Sequence, residues 1–211
     1  MSTQAEILLT TSPVMPVLVI DRVADAVPIA EALKAGGLKV LEVTLRTESA
    51  LDVIREIASN VEGVIVGAGT VTRPEEFKLV EEAGGQFAIS PGATEALFKA
   101  GLESSMPYLP AVSTVAEMMR GMEYGFNCFK FFPAEANGGA PTLKAFAGPF
   151  PNVRFCPTGG IGPNNFTDYL KLPNVTVVGG SWVVPKELVD AKDWAGITAL
   201  AKDAVDKANA L

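Results

Sequence analysis

The sequence predicts an α/β chain folded as a closed (β/α)8 TIM barrel, a single domain over residues 1–211 with a short N-terminal helical extension. Three observations lead there. Eight short apolar runs rich in β-branched and aromatic residues recur along the chain, and segments of helical period separate them. The runs are almost continuously apolar, as in parallel strands covered by helices on their faces. No Gly-x-Gly-x-x-Gly follows the first run; "GAGTVT" at 67–72 is too short a match for a dinucleotide fingerprint. A doubly wound open sheet would alternate in the same way, but the count of eight favours closure.

The predicted strands are "VMPVLVI" (14–20), "KVLEVTL" (39–45), "GVIVGA" (63–68), "QFAIS" (86–90), "PYLPA" (107–111), "NCFKFF" (127–132), "VRFCPT" (153–158) and "VTVVGG" (175–180). Their starts lie about 20 to 26 residues apart, room for one helix and two turns per unit. The first three intervening helices read as "VADAVPIAEALKAGG", "ESALDVIREIAS" and "RPEEFKLVEEAGG". Thr47 is expected to cap the second, with Glu48 in its first turn; the first and third run into paired glycines, a common helix end. No linker, low-complexity run or shift in composition divides the chain.

Composition narrows the function. Hydrophobic residues make up 48% and charged residues 19%, enough for a substantial core. No apolar run approaches the roughly 18 residues of a membrane span. "MSTQAEILLTTSP" lacks the charged and apolar pattern of a secretory leader, so a cytoplasmic protein is expected. A net charge of -7 argues against nucleic acid as a general partner, because such proteins cluster cations to displace counterions. It leaves room for a small anionic ligand held by local amides and an arginine. There is no histidine, so proton transfer falls to a carboxylate, lysine, tyrosine, thiol or water. A zinc site is a poor match to the residues present, and no metal or other cofactor is expected. Cys128 and Cys156 lie in apolar runs and read as buried thiols, not as a disulfide framework.

Polar residues inside the apolar strands mark the candidate site. In a barrel, function gathers at the C-terminal strand ends, and side chains two apart share a face. On the second strand Glu42, Thr44 and Arg46 share one face, while Leu41, Val43 and Leu45 share the other. Glu42 and Arg46 form either an internal salt bridge or catalytic and binding groups; a buried carboxylate is costly without a partner. On the sixth strand Lys130 shares the inward face with Cys128 and Phe132. Desolvation disfavours a charged amine, and a neutral amine attacks carbonyls to form Schiff bases. The same lysine could instead snorkel at the rim or make a structural pair with Glu42 across the barrel. "TGGIG" (158–162) and "GGSWV" (179–183) follow the last two strands, where barrels often hold phosphate on backbone amides, although glycine there is also ordinary turn chemistry. Thr70 after the third strand binds a substrate oxygen or caps the next helix. Pro91 in "SPG" is a pocket wall or a turn, and "EANGG" at 135–139 reads as a mobile rim loop. Trp182 and Trp194 read as core or interface residues.

Taken together, "EVTLRT", "VGAGTV", "FAISPG", "FKFFPAEANGG", "FCPTGGI" and "GGSW" resemble the bacterial 2-keto-3-deoxy-6-phosphogluconate (KDPG) and 4-hydroxy-2-oxoglutarate (KHG) aldolases, class I enzymes on a (β/α)8 barrel. The resemblance runs from about residue 5 to the C-terminus. It implies Lys130 as the Schiff-base lysine and Glu42 as the proton-transferring carboxylate. It implies contacts to the pyruvyl end by Arg46, Thr70 and Thr158, walls made by Phe132 and Pro91, and a phosphate cradle of Gly159, Gly160, Gly179, Gly180 and Ser181. A homotrimer serving the Entner–Doudoroff pathway is also implied. Two rival readings remain at this stage. One is a phosphosugar isomerase or epimerase using Glu42 as base; the other is a phosphosugar-binding protein without catalysis. The residues do not rank the gluconate substrate against its galactonate epimer.

Overall fold

The structure is a computed structural model that describes Ala5 and residues 8–211. After the helical residues 8–10 the strands are β1 (Val14–Leu18), β2 (Val40–Thr44), β3 (Ile65–Gly69), β4 (Ala88–Ile89), β5 (Tyr108–Leu109), β6 (Ala111–Val112), β7 (Cys128–Phe131), β8 (Arg154–Pro157) and β9 (Val178–Gly180). Between and after them lie helices α1 (Ala26–Ala35), α2 (Ala50–Asn60), α3 (Glu75–Glu82), α4 (Glu95–Glu103), α5 (Val115–Glu123), α6 (Gly139–Ala147), α7 (Phe166–Leu170), α8 (Lys186–Asp190) and α9 (Trp194–Asn209). Each predicted run contains strand. The fifth contains two pieces, because Pro110 has no N–H to give to the ladder and separates β5 from β6.

Every strand pairing is parallel. The order is β5-β4-β3-β2-β1-β9 in one sheet and β6-β7-β8 in the other. The single ring expected from sequence is therefore drawn as two parallel sheets that divide at Pro110. Isolated parallel bridges, Thr158 with Gly179 and Phe155 with Val175, link the β8 region to the segment containing β9. At the division, the Pro110 carbonyl accepts the Lys130 amide at 2.9 Å.

Alternation sorts the side chains into two apolar clusters. Leu41 and Val43 of β2 and Phe129 and Phe131 of β7 belong to the larger one, packed with helix residues such as Ile29, Leu33, Val53 and Ile57. Val40, Cys128 and Cys156 belong to the smaller one, with Met15, Phe87, Ile89, Leu109, Ala5, Leu8 and Leu9. Glu42 and Lys130 follow the period of two on this second face, so the N-terminal helical residues and the apolar cluster lie beneath the polar strand ends.

Helix ends follow sequence where glycine is involved and depart from it at one cap. Gly37 and Gly84 close α1 and α3 at φ 95° and 84°, values that favour glycine. Thr47, by contrast, does not cap α2. Its hydroxyl donates to the Ile20 carbonyl at 3.1 Å, joined by Ser49 at 2.9 Å. These hydroxyls satisfy a carbonyl beyond β1 instead of the helix amides, so tertiary contact overrides the local capping preference. A full capping box opens α5: Thr114 Oγ1 accepts from the Glu117 amide at 3.3 Å, and Glu117 accepts from the Thr114 amide at 2.8 Å.

Close strand packing relies on Gly67, where an added Cβ would stand 2.5 Å from the Phe87 ring and carbonyl. Gly67→Ala is therefore expected to cost about 1–3 kcal/mol through overpacking, read as a lower urea midpoint with an unchanged slope. An unaltered midpoint would show that β3 and β4 separate freely.

Candidate active site

The site is built from the C-terminal halves of β2 and β7. Lys130 Nζ donates to Glu42 Oε1 at 2.8 Å, with the two side chains 6% and 1% exposed. Sequence reading sets the carboxylate facing the amine across the barrel; the structure brings them into direct contact. Room for the acid comes from Gly69 on β3, where a Cβ would run into the Glu42 carboxylate and lie 2.6 Å from its Cγ. Glu42 Oε2 is buried and bonded to no group among the described residues, so that oxygen can accept a proton. The Phe132 ring lies 5.6 Å from Lys130 Nζ, within cation–π range.

A cavity of about 170 Å³ opens over this pair. Its buried floor is Glu42, Thr44, Lys130 and Thr158; Val17, Thr70, Pro91 and Phe132 form half-buried walls, and exposed Arg46 stands at the mouth. All seven residues expected to bind or transform the keto-acid end thus come together. Arg46 does not pair with Glu42, as an internal salt bridge would require; its Nε donates to Thr44 Oγ1 at 3.2 Å, and Thr44 in turn donates to the Leu18 carbonyl at 2.9 Å. Thr70 does not cap the following helix. The helix has no side-chain cap, and Glu76 in its first turn accepts from the amides ahead of it, Thr72 at 2.7 Å and Arg73 at 3.1 Å. Thr70 instead holds φ at 63°, a left-handed backbone that costs a β-branched residue about 1–2 kcal/mol and fixes it on the cavity wall.

Sequence reasoning did not single out Thr44 and Val17. The alternation of β2 carries a signal for Thr44, which lies between Glu42 and Arg46 on one face. The signal for Val17 lies only in its pairing with Glu42 across β1 and β2.

The five residues of the expected phosphate cradle stand beside this cavity, and only Thr158 of their loops lines it. Gly159 and Gly160 hold φ at 103° and 75°. Asn165, also missed from sequence, clasps that turn: its Oδ1 accepts from Gly162 at 2.8 Å and its Nδ2 donates to the Gly160 carbonyl at 3.1 Å. The amides of Gly160 and Ser181 donate to no backbone carbonyl among the described residues. Gly180 is packed against the Trp182 ring within its own turn, and Gly179 against Thr158, which brings the two turns together. Ser181 lines an adjoining hollow of about 340 Å³ that shares Val17 with the first cavity. The "EANGG" segment, expected as a mobile loop, is tied down: Glu135 donates its amide to Gly159 O at 3.1 Å, and its carboxylate accepts from the Tyr169 hydroxyl.

The model of the KDPG and KHG aldolases matches residues 5–200. The chain belongs to that family. It is 58% identical to the KHG/KDPG aldolase of Escherichia coli K12 over 206 residues, 98% of this chain and 97% of that one. It is 57% identical to the 2-dehydro-3-deoxy-phosphogluconate aldolase of Dickeya dadantii, covering 99% and 98% of the two chains. Among solved structures, it matches the Legionella pneumophila KDPG aldolase with pyruvate captured as a covalent carbinolamine, with TM-score 0.95, 49% identity, and 97% and 100% of the chains covered. The Zymomonas mobilis enzyme with 3-phosphoglycerate matches with TM-score 0.89, 50% identity and 95% and 94% coverage. Among the described residues, no helix is long and apolar enough to cross a membrane.

Removing one partner of a buried ion pair leaves the other charge uncompensated, so Lys130→Met or Glu42→Gln alone is expected to lose about 3–5 kcal/mol of stability. The double substitution should recover most of that loss, measured by urea unfolding. Additive losses would mean that the two groups are not coupled.

Proposed function

We propose that this chain is a class I aldolase that cleaves KDPG to pyruvate and glyceraldehyde 3-phosphate, and KHG to pyruvate and glyoxylate. The observation that carries the reading is the buried Lys130–Glu42 contact of 2.8 Å at the floor of a cavity. The names of the similar enzymes agree with it. An isomerase reading would employ Glu42 but leave Lys130 without a task.

Along the line from Nζ to Oε1 the ammonium passes a proton to Glu42, which frees the nitrogen lone pair. The amine adds to the C2 ketone, giving a carbinolamine. Glu42 returns the proton to the departing hydroxyl, so water leaves and a protonated imine remains. The carboxylate then removes the C4 hydroxyl proton. The C3–C4 bond breaks, its electrons move to the imine as an enamine, and the aldehyde departs. Protonation of the enamine carbon and hydrolysis of the imine release pyruvate and restore Lys130. Arg46 supplies a guanidinium for the keto acid's carboxylate, with Thr70 and Thr158 beside it and Phe132 and Pro91 as walls. Gly159, Gly160, Gly179, Gly180 and Ser181 cradle the phosphate on backbone amides and a hydroxyl; the Zymomonas relative was solved with a phosphorylated acid.

The wider reading is a single-domain closed (β/α)8 barrel with the N-terminal helical residues beneath it. Closure across Pro110 is supported by the successive short strands β5 and β6, and at the other seam by the Thr158–Gly179 bridge. A cytoplasmic homotrimer in the Entner–Doudoroff pathway fits the family. Met119 and Met122, exposed on one face of α5, offer apolar surface for association.

Borohydride added with pyruvate is expected to fix a three-carbon adduct on Lys130, seen by peptide mass spectrometry, and Lys130→Ala should lose both adduct and turnover. Trapping at a different lysine would overturn the assignment. Glu42→Gln should lower kcat at least about 100-fold while pyruvate still binds; undiminished turnover would remove its role in proton transfer. A panel of gluconate- and galactonate-derived keto acids, scored for pyruvate release, ranks the substrates.

A further inference from the structure

We propose that Glu135 and Tyr169 form a latch that positions the Gly159 and Gly160 turn for the distal phosphate; this rests on the reading of that turn as a phosphate cradle. The two residues are remote from each other in sequence and lie outside the catalytic cavity, yet two contacts of Glu135 tie the pair to the turn. The Glu135 amide donates to Gly159 O at 3.1 Å, next to Ala134, which donates to Thr158 O at 2.8 Å. The Glu135 stem occupies the space a Gly160 side chain would need, with Cγ 2.6 Å and Cβ 2.7 Å from the position of such a Cβ. The carboxylate accepts from the hydroxyl of Tyr169, which is buried at 1% exposure on α7. Space for this pair is kept by Gly139, whose Cβ would lie 3.0 Å from Glu135 Oε1 and 3.1 Å from Tyr169 Oη.

The consequence for the turn follows from peptide geometry. In a trans peptide the N–H lies opposite the preceding carbonyl. Glu135 draws Gly159 O toward the 3-10 turn Glu135–Asn137, so the Gly160 N–H faces the other way. Asn165 draws Gly160 O in the same manner from α7's side, which turns the Ile161 N–H outward too. The Glu135 amide, whose place the side-chain latch holds, and Asn165 therefore orient two amides from outside the cavity that holds Lys130 and Glu42. Burial first, and then the facing carboxylate, raise the Tyr169 phenol above its ordinary value. Its hydroxyl stays a donor to that carboxylate. Glu135 and Tyr169 are positioning residues, and the property they govern is preference for a phosphorylated substrate.

Tyr169→Phe and Glu135→Ala test this against the unaltered protein, with circular dichroism to confirm folding. Loss of one such hydrogen bond is expected to raise KM for KDPG about fivefold, with kcat held within about twofold. KM for KHG, which has no phosphate, should stay where it is. Glu135→Gln keeps an acceptor oxygen and should fall between Glu135→Ala and the parent. An equal rise in KM for both substrates, or no rise for either, overturns the latch. Inorganic phosphate titrated by thermal shift supplies a readout without turnover: its apparent affinity should fall about fivefold in Tyr169→Phe, and an unchanged affinity overturns the proposal. If the parent forms no pyruvate adduct at Lys130, the aldolase reading fails, while the phosphate titration still judges the latch.

Discussion

The structure turns on the burial of one lysine against one glutamate. Two charges withdrawn from water are tolerated only when each supplies what the other has lost, and even then the pair adds little net stability compared with apolar packing. Its persistence at the meeting point of β2 and β7 is therefore a matter of chemistry more than of fold. The surroundings enforce the contact. Gly69 leaves space for the acid, the Phe132 ring stands by the amine, and Cys128 and Cys156 belong to the apolar cluster beneath them. Cys156, opposite Lys130 in the strand register, illustrates the selectivity of this environment. Burial pushes its thiol up to about 12, with the nearby Lys130 charge opposing and Glu42 adding to the rise. The sulfur therefore remains protonated near neutrality and does not compete as a nucleophile.

Around that pair the chain places its strain and its glycines. Thr70 accepts a left-handed backbone on the cavity wall, and the tight approaches at Gly69 and Gly179 let side chains of one strand end sit where another's Cβ would be. Such costs are borne where the surrounding fold over-determines the geometry. Here the parallel strands do so, because their registers fix Glu42 beside Gly67 and Lys130 beside Cys156 before any loop is considered.

Much of this was legible in the sequence because period two is a strong code. Glu42, Thr44 and Arg46 on one face, and Lys130 with Cys128 on another, follow from alternation alone. What alternation does not carry is reach. A long amine and a carboxylate on facing strands could stand apart or touch, and only the strand geometry decides for contact. Local rules also yielded where distant groups competed. Thr47 gave its hydroxyl to Ile20 rather than to its own helix, and Pro110 cut a run that reads as one strand. Glu135 and Tyr169, 34 residues apart, have no periodic relation that would announce their contact.

The proposed division of the site explains how one chain could serve two substrates that are alike from C1 to the C4 hydroxyl and differ beyond it. In the proposed function the cavity lined by Lys130, Glu42 and Arg46 deals with atoms common to both. The glycine turns, with their oriented amides, deal in the proposed function with the end that differs. Thr158 joins the halves: its side chain lines the cavity, its carbonyl accepts from Ala134, and its bridge to Gly179 sets the second turn against the first. A change confined to the turns alters how tightly a phosphorylated substrate is held before bond cleavage, whereas the proton path between Nζ and Oε1 is untouched. On this reading, recognition of the distal group is uniform binding and appears in KM, while the buried pair acts on the developing transition state and appears in kcat.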